Sequence, residues 1–417
     1  MKILICGADG FLGRHFSAHL HAAGHQVVRA VRSPRTTGDI AIDYCRDLSV
    51  DAWLPRLEDV DVVINAIGIL IETSAQPFAA IHTDAPKALF DACAAKGGIR
   101  VIQISALGVQ SGTTQYFRSK LAADAHLATL DLDWAIVRPG LIYGLDGGSS
   151  RVLRLLASLP LISLPGNGSQ ALQPIHIDDL CRCIQALVEA TAPLKRDYEL
   201  AGPQKISYKD LLALYRRGMG LGKPVFLPIP MALMRLTARI AELLPQRVLS
   251  RDTLSMLAGG NTTSRKDAQV LLGRDLVAPE NFITPITQSA VLSEAVSLWT
   301  QPLLRVALAI MWFAASGLSL LQPDVSLALL AQVGLSGVTA TAALYGASAL
   351  DLILGVLTLL RPSRCLWLTQ IALVAGYTAI ISIWLPAYWL HPFGPVVKNL
   401  PILALLLMLH ASSTRKI

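Results

Sequence analysis

Met1-Lys-Ile-Leu-Ile-Cys-Gly7-Ala-Asp-Gly10-Phe-Leu-Gly13 sets a short apolar run against three evenly spaced glycines. Ile3–Cys6 reads as a buried strand, and Arg14–Ala23 after the glycines is compatible with a helix. A strand, a glycine turn and a helix in that order form a site for the pyrophosphate of a dinucleotide. Glycine permits the tight turn and the close backbone approach, and the helix N-terminus offers free N–H groups to an anion. The spacing is GxxGxxG rather than GxGxxG.

The same alternation continues outward. Gln26–Val31, Val60–Ala66, Arg100–Ser105 and Asp133–Arg138 read as strands, the last stopped by Pro139-Gly140. Ala85–Lys96, ended by Gly97-Gly98, and Tyr116–Leu130 read as helices. Short, nearly continuous apolar strands between helices predict an α/β, doubly wound parallel sheet of Rossmann type, covered on both faces. Ile142–Ala201 reads as a loop-rich insert that returns to the domain. It holds a helix at Ser149–Ala157, a turn at Pro165–Gly168 and a helix opened by Pro174–Asp179, with Asp178 expected as its N-cap. Ser207–Met219 is expected to be helical. Pro228–Leu244 reads as a packed helix, with an amphipathic helix resting on a bilayer as the alternative.

The chain has 417 residues, 53% of them hydrophobic, and a net charge of +7. Its mean hydropathy of +0.49 is too high for a wholly soluble protein. The apolar excess begins near Gln301. Leu303–Leu321, Thr341–Leu360 and Leu366–Leu385 approach the span a bilayer needs, and Gly394–Leu409 is shorter, interrupted by Lys398, Asn399 and Pro401. Leu327–Val333 is expected to be interfacial. Two domains follow, residues 1–290 and an all-α transmembrane four-helix domain at residues 301–412. The apolar run at the N-terminus is too short for a signal peptide, so the first membrane helix is expected to direct insertion.

Arg305, Arg361, Arg364, Arg415 and Lys416 flank the spans so that both termini and the nucleotide domain are expected in the cytoplasm, at a bacterial-type inner membrane. The six scattered cysteines fit a reducing compartment. No basic patch interleaved with aromatics points to nucleic acid. No metal is expected: His15 and His19 share a helical face, but no Asp, Glu or Cys is placed to complete a set. His176 reads as a capping or packing residue. Asp351 sits mid-span, where a carboxylate costs about 2.5–3.5 kcal/mol. It should face the bundle, as a helix-packing hydrogen bond or as a contact for a proton or a quinone headgroup. Gln370 carries the same two readings.

Tyr116 and Lys120 stand four apart at the start of a helix and so share a face. Ser105 ends the preceding strand. A lysine ammonium beside a phenol is expected to lower its pKa, and a serine hydroxyl can hold a carbonyl. Together they could pass a proton while a nicotinamide passes hydride. Val31-Arg32-Ser33-Pro34-Arg35 ends the second strand without an acid. NADP(H) is therefore expected, with NAD(H) the alternative, Arg32 meeting a 2′-phosphate and Arg14 assisting.

These residues resemble the short-chain dehydrogenase/reductase superfamily. Gly7-x-x-Gly10-x-x-Gly13 has the spacing of its extended and atypical branches, and Asn65-Ala66-Ile67-Gly68 resembles their Asn-Ala-x-Gly strand end. Asp47-Leu48 resembles the pair that meets adenine, and Arg138-Pro139-Gly140 and Pro174–Asp179 resemble further motifs. Ile104–Gly108, Phe117–Lys120, Leu227–Pro230 and Gly260-Asn261 resemble the atypical group of the NADPH-binding accessory subunit of respiratory complex I. Where that group often has Glu, four residues past the lysine, this chain has Asp124. The tail, with His391–Gly394 and Lys398–Pro401, is similar to the DoxX-like four-helix membrane family.

The resemblance implies a cofactor held by Gly7, Asp9, Gly10, Phe11, Leu12, Gly13, Arg32, Asp47, Leu48, Asn65, Ala66, Ile67, Gly68, Ser105, Tyr116, Lys120 and Pro139. Tyr116 would be the acid/base, Lys120 its pKa modifier and Ser105 the carbonyl holder. Two functions follow. The first is an oxidoreductase on a lipophilic carbonyl or quinone-like substrate. The second is an NADPH-binding structural, assembly or sensor protein of a respiratory or quinone-related membrane complex, without turnover. An epimerase or dehydratase is a third reading, but nucleotide-sugar substrates give no reason for a membrane domain.

Overall fold

The computed structural model describes residues 1–241 and 250–413. The chain divides into two compact units, Met1–Ala295 and Val296–Ile417.

The first unit is built on a seven-stranded sheet. Its order is Arg196–Leu200, Asp133–Pro139, Arg100–Ile104, Val62–Asn65, Lys2–Cys6, Gln26–Val31, Asp39–Ala41, and every pair is parallel. Alternate residues of a strand point to opposite faces, so a strand covered on both sides must be apolar throughout. Lys2–Cys6 shows this. Ile3 and Ile5 join a core with Phe16 and Leu20 of the helix Phe11–Ala22, while Leu4 and Cys6 join one with Leu89 and Phe90 of the helix Ala85–Lys96. All of these are fully buried, and each large apolar side chain contributes about 1.5–3 kcal/mol. The chain runs from Lys2–Cys6 first to one side of the sheet and later to the other. A crevice therefore opens at the carboxyl end of this strand, between Gly7 and Asn65.

Four features differ from the sequence reading. Arg196–Leu200 is an edge strand rather than part of a loop-rich insert, paired with Asp133–Pro139. Its charges hide an alternating pattern in which Tyr198 and Leu200 are buried. Leu161–Pro165, also in that segment, pairs in parallel with Val225–Ile229. The helix Ile177–Val188 is capped by His176, whose Nδ1 accepts from the Asp178 N–H (3.2 Å), so Asp178 lies inside the helix instead of at its cap. His176 also packs on Tyr143 and Phe282, the capping and packing role expected of it. From Pro228 onward, a strand ending at Ile229 gives way to the helix Met231–Ala241. Leu233 and Leu236 stand exposed on it, contrary to a fully packed helix, while Ala238 is buried. The remainder of that segment, Glu242–Leu244, lies outside the described residues, as do Arg415 and Lys416.

Asp179 ties the helix Ile177–Val188 to a later segment. It is fully buried, accepts from Val277 N–H (2.7 Å), and is ion-paired with Arg274. Asp179→Ala leaves the Val277 N–H without its acceptor while the half-exposed Arg274 returns to water, a loss of about 1–3 kcal/mol. Thermal unfolding of the variant should report a loss of that size, and a loss under about 1 kcal/mol would contradict the assignment.

The second unit is helical. Gln288–Leu321, in which the unit boundary falls, Gly337–Leu360 and Arg364–Trp384 are long and apolar enough to cross a membrane, and Asn399–Ser412 is a shorter apolar helix. Pro323–Gln332 forms the short helix expected after the first span. Pro401 lies in the first turn of the last helix, where its missing N–H breaks no helical bond. Leu308, Trp312, Leu354, Trp367 and Leu406 fill the interior. A Cβ on Gly355 would lie 2.4 Å from the Phe313 ring, so glycine lets these helices approach closely. Gln370 makes the packing bonds expected of it, accepting from Trp312 Nε1 and donating to Thr358 Oγ1, both at 2.9 Å. Asp351 does not: it is buried in the bundle, and its Oδ1 has no hydrogen-bond partner among the described residues.

Candidate functional site

The glycine turn is built by close approach. Gly7 has φ +82°, and a Cβ there would lie 2.7 Å from Ile67 Cγ1. A Cβ on Gly13 would lie 2.1 Å from Gly7 O, so the helix starts directly on the strand exit. Gly10 is the N-cap and brings no capping side chain. Its N–H goes to Gly7 O, and the next ladder bond runs from Arg14 N–H to Gly10 O. The N–H groups of Phe11, Leu12 and Gly13 are left without a partner among the described residues. Unpaired donors at the positive end of a helix dipole fit the pyrophosphate of a dinucleotide.

The rim is laid out by charge pairs. Asp9 accepts from Arg29 (2.6 Å). Arg14, just past the glycines, is exposed and pairs with Asp146 (2.8 Å). Asp39 accepts from the N–H groups of Arg35 and Thr36 and from Thr36 Oγ1, closing the loop after the second strand. Arg32 on that loop is exposed and has no partner among the described residues. The Asp47 carboxylate accepts from Asp43 N–H and pairs with Arg56, leaving Leu48 exposed beside it. Asn65 is committed inward: Oδ1 accepts from Tyr44 Oη (2.8 Å) and Ile67 N–H, and Nδ2 donates to Gln103. Its side chain shapes Ala66–Gly68 rather than reaching outward. Pro139 is buried and its carbonyl accepts from Leu107 N–H.

Tyr116 and Lys120 lie on the helix Gln115–Thr129, capped by Thr114. Lys120 Nζ donates to Ile104 O (3.0 Å) and stands 5.9 Å from the Tyr116 ring centre. A Cβ on Gly68 would lie 3.4 Å from that Nζ, so lysine, strand end and glycine turn converge. Burial pulls the Lys120 ammonium down to about 8, against the pull of Asp124. Tyr116 is 8% exposed, packed by Phe78, His82 and Phe117. Its hydroxyl has no partner among the described residues. Burial, then the Asp124 charge, pushes this phenol above its ordinary value. That reverses the lowering expected from the lysine, because desolvation of a phenolate outweighs a cation held off by the Ile104 carbonyl.

Ser105 is not placed as a carbonyl holder. Its Oγ donates to Asp124 Oδ2 at 2.6 Å, and both residues are buried. A hydroxyl has a single proton, so this bond leaves none for a carbonyl. Asp124 lies 3.7 Å from Arg138 and its other oxygen has no partner among the described residues. Burial raises its pKa against the Ser105 hydrogen bond. The i, i+4 spacing from Lys120 was the signal that Asp124 belongs to this group.

His82 is the residue that no motif indicated. It comes from the π-helical turn Ala79–Asp84. Its Nε2 accepts from Ile69 N–H (3.0 Å). Its Nδ1 meets Ser119 Oγ (2.9 Å), whose own proton goes to Tyr116 O, so Nδ1 is the donor and the ring is neutral. Burial, then Lys120, lowers its pKa to about 3. A lowered folded value means the unfolded chain takes up the proton first. Stability from this residue is complete above about pH 6.5 and is lost as pH falls toward 3, by about 1.4 kcal/mol per unit. Chemical denaturation between pH 6 and 4 should show His82→Gln losing less stability per unit than wild type. Parallel profiles would refute the assignment.

The histidines of the first helix are dispersed: His15 binds Asp146 and His19 binds Gln185. No group of three metal-ligating side chains occurs among the described residues.

Comparison with known proteins bears on both units. Residues 7–157 match a family model described as NAD(P)H-binding, and residues 293–407 match the DoxX-like family. The chain joins an NAD(P)-binding, epimerase-like domain to a DoxX-like domain.

The epimerase-like domain is 26% identical over 249 residues to an epimerase family protein of Mycobacterium bovis, covering 54% of this chain and 81% of that protein. It is 26% identical over 246 residues to NADH dehydrogenase (ubiquinone) 1 alpha subcomplex subunit 9, mitochondrial, of Rattus norvegicus, covering 54% of this chain and 63% of that protein. Solved structures share its fold. A nucleoside-diphosphate-sugar epimerase of Staphylococcus aureus superposes with TM-score 0.55 at 18% identity, over 68% of this chain and 99% of that one. A UDP-glucuronic acid 4-epimerase of Bacillus cereus, solved with UDP-glucuronic acid and NAD, does so with TM-score 0.52 at 19% identity, over 72% of this chain and 100% of that one. The DoxX-like domain holds the apolar helices and associates the chain with a membrane.

Proposed function

We propose that the chain is a membrane-anchored oxidoreductase that reduces a lipophilic carbonyl or quinone-like compound with NADP(H). The observation that carries this reading is the Tyr116 hydroxyl. It is unpartnered among the described residues and shares a helical face with Lys120, whose Nζ would lie 3.4 Å from a Cβ on Gly68 of the Asn65–Gly68 strand end. NADPH, held at the glycine turn, would supply a hydride for the carbonyl carbon. Tyr116 Oη donates its proton to the carbonyl oxygen. The Lys120 ammonium faces the phenolate that remains, which solvent then reprotonates. A phenol held above its ordinary value keeps its proton at neutral pH, which suits the direction of reduction. Asp124 and Ser105 support the strand end beneath this pair.

Arg32 favours a 2′-phosphate, since it is exposed and without a partner among the described residues, while Asp39, the acid nearest that strand end in sequence, is spent on its loop. A cytoplasmic nucleotide domain is supported by the arginines of the DoxX-like domain. Arg305 donates to Thr358 O (3.0 Å) near Arg361, so cations gather at one end of the bundle.

One observation favours the second reading, a domain that holds NADPH without turnover for a membrane complex: the only hydroxyl proton of Ser105 is committed to Asp124. The full chain, purified in mild detergent, separates the two. Mass spectrometry identifies the bound nucleotide, and absorbance follows NADPH oxidation with short-chain quinones and long-chain aldehydes. Oxidation that requires an acceptor supports the oxidoreductase. Bound NADPH left unoxidised by every acceptor supports the second reading and removes the first.

A further inference from the structure

The helix Gly337–Leu360 turns a stripe inward that includes Leu344, Ser348, Asp351, Leu354 and Thr358. Its polar members are satisfied except for Asp351. Ser348 Oγ donates to Leu344 O (2.9 Å), and Thr358, Gln370 and Trp312 bond to one another. None of them can turn to Asp351 without losing a partner of its own. Asp351 is 7% exposed, and its Oδ1 is buried without a hydrogen bond among the described residues.

A second unpartnered group stands level with it. Gly337–Leu360 and Arg364–Trp384 are joined by residues 361–363, a link short enough to make them antiparallel neighbours. The Thr358–Gln370 bond fixes their register. Moving seven residues along each helix, two turns or about 10.5 Å, arrives at Asp351 on one and Tyr377 on the other. Tyr377 is half-buried, and no hydrogen bond joins it to Asp351 among the described residues. The Tyr377 hydroxyl has no partner among the described residues. An ionisable side chain inside a membrane bundle takes a partner where it can.

We propose that Asp351 and Tyr377 form an intramembrane binding site for a neutral lipophilic molecule with a hydroxyl headgroup. The hydroxyl donates to Asp351 and accepts from Tyr377, the two functions that a single O–H group combines. The apolar tail lies along the surrounding leucines. This site stands on the DoxX-like domain alone and is independent of turnover at the nucleotide site.

The test uses the full chain in detergent and in lipid nanodiscs. Dicyclohexylcarbodiimide, which adds a carboxyl O–H across its C=N bond, should label Asp351 in the wild type and leave that position unlabelled in Asp351→Asn, read by mass spectrometry. The probe 1-decanol, at about ten times its dissociation constant, should slow labelling about tenfold, while decane at the same concentration should not. Tyr377→Phe, which keeps the ring and so the packing, should lose that protection. Equal protection by decane and decanol overturns the site. So does full protection in Tyr377→Phe, and so does a wild-type Asp351 that the carbodiimide never labels.

Discussion

The Tyr116→Phe protein is expected to bind its nucleotide as the wild type does and to lose NADPH oxidation by ~10²–10⁴-fold, the usual contribution of a positioned proton donor. The substitution is conservative by construction of the site. The ring contacts with Phe78, His82 and Phe117 are kept. The hydroxyl that is removed has no partner among the described residues, so its loss strands no other group. Stability and nucleotide content should therefore stay within about 0.5 kcal/mol and within error of wild type. Steady-state oxidation at saturating nucleotide, beside the nucleotide content of the same preparation, makes the comparison. Equal rates in the two proteins would remove Tyr116 from the chemistry and leave the fold intact.

Gly13→Ala should do the reverse, removing the nucleotide itself. Its new methyl would lie 2.1 Å from Gly7 O and 2.7 Å from Ala8 Cα, both backbone, so no side chain can move aside. The helix start must lift off the strand, and the three N–H groups at its N-terminus lose their aim. We expect nucleotide affinity to fall at least ~100-fold, with about 1–3 kcal/mol of overpacking strain. Gly38→Ala is the matched control: a Cβ there meets nothing within 4 Å. Titration calorimetry on the three proteins would decide, and near-equal affinities would mean that the glycine turn does not hold the nucleotide.

The central strands were legible because burial on both faces leaves mostly apolar residues in them. Gln26–Val31 was readable to the residue, and the turn after Cys6 announced itself by glycine spacing. Arg196–Leu200 was not, since a sheet edge carries Arg196, Asp197 and Glu199 without penalty and so looks like a loop. The cap of Ile177–Val188 was misread because Asp is the commoner N-cap, whereas here an imidazole nitrogen accepts the bond. In the site, the helical spacing of Tyr116 and Lys120 was visible, but the sign of the phenol shift was not. That sign depends on how deeply the ring is buried, which no local pattern records. His82 had no motif at all. Its role comes from Ile69 and Ser119, thirteen and thirty-seven residues away in the chain. Asp351 was legible as a mid-span acid, while the bonds that commit Ser348, Thr358, Gln370 and Trp312 elsewhere were a fact of packing.

The helix Gln288–Leu321 begins inside the epimerase-like domain. Val291 and Ala295 belong to a core with Tyr143 and Tyr215, and Glu294 pairs with the buried Arg154, whose other bonds go to the carbonyls of Gly144 and Leu145. The last pieces of the soluble core are thus encoded on the same helix that carries the first apolar span. During synthesis, that core cannot close until this helix has left the ribosome, when the apolar span is itself about to emerge. A fragment cut before Gln288 to obtain a soluble protein would strip the core of two apolar side chains and leave Arg154 without Glu294. One that ends just after Ala295 keeps both.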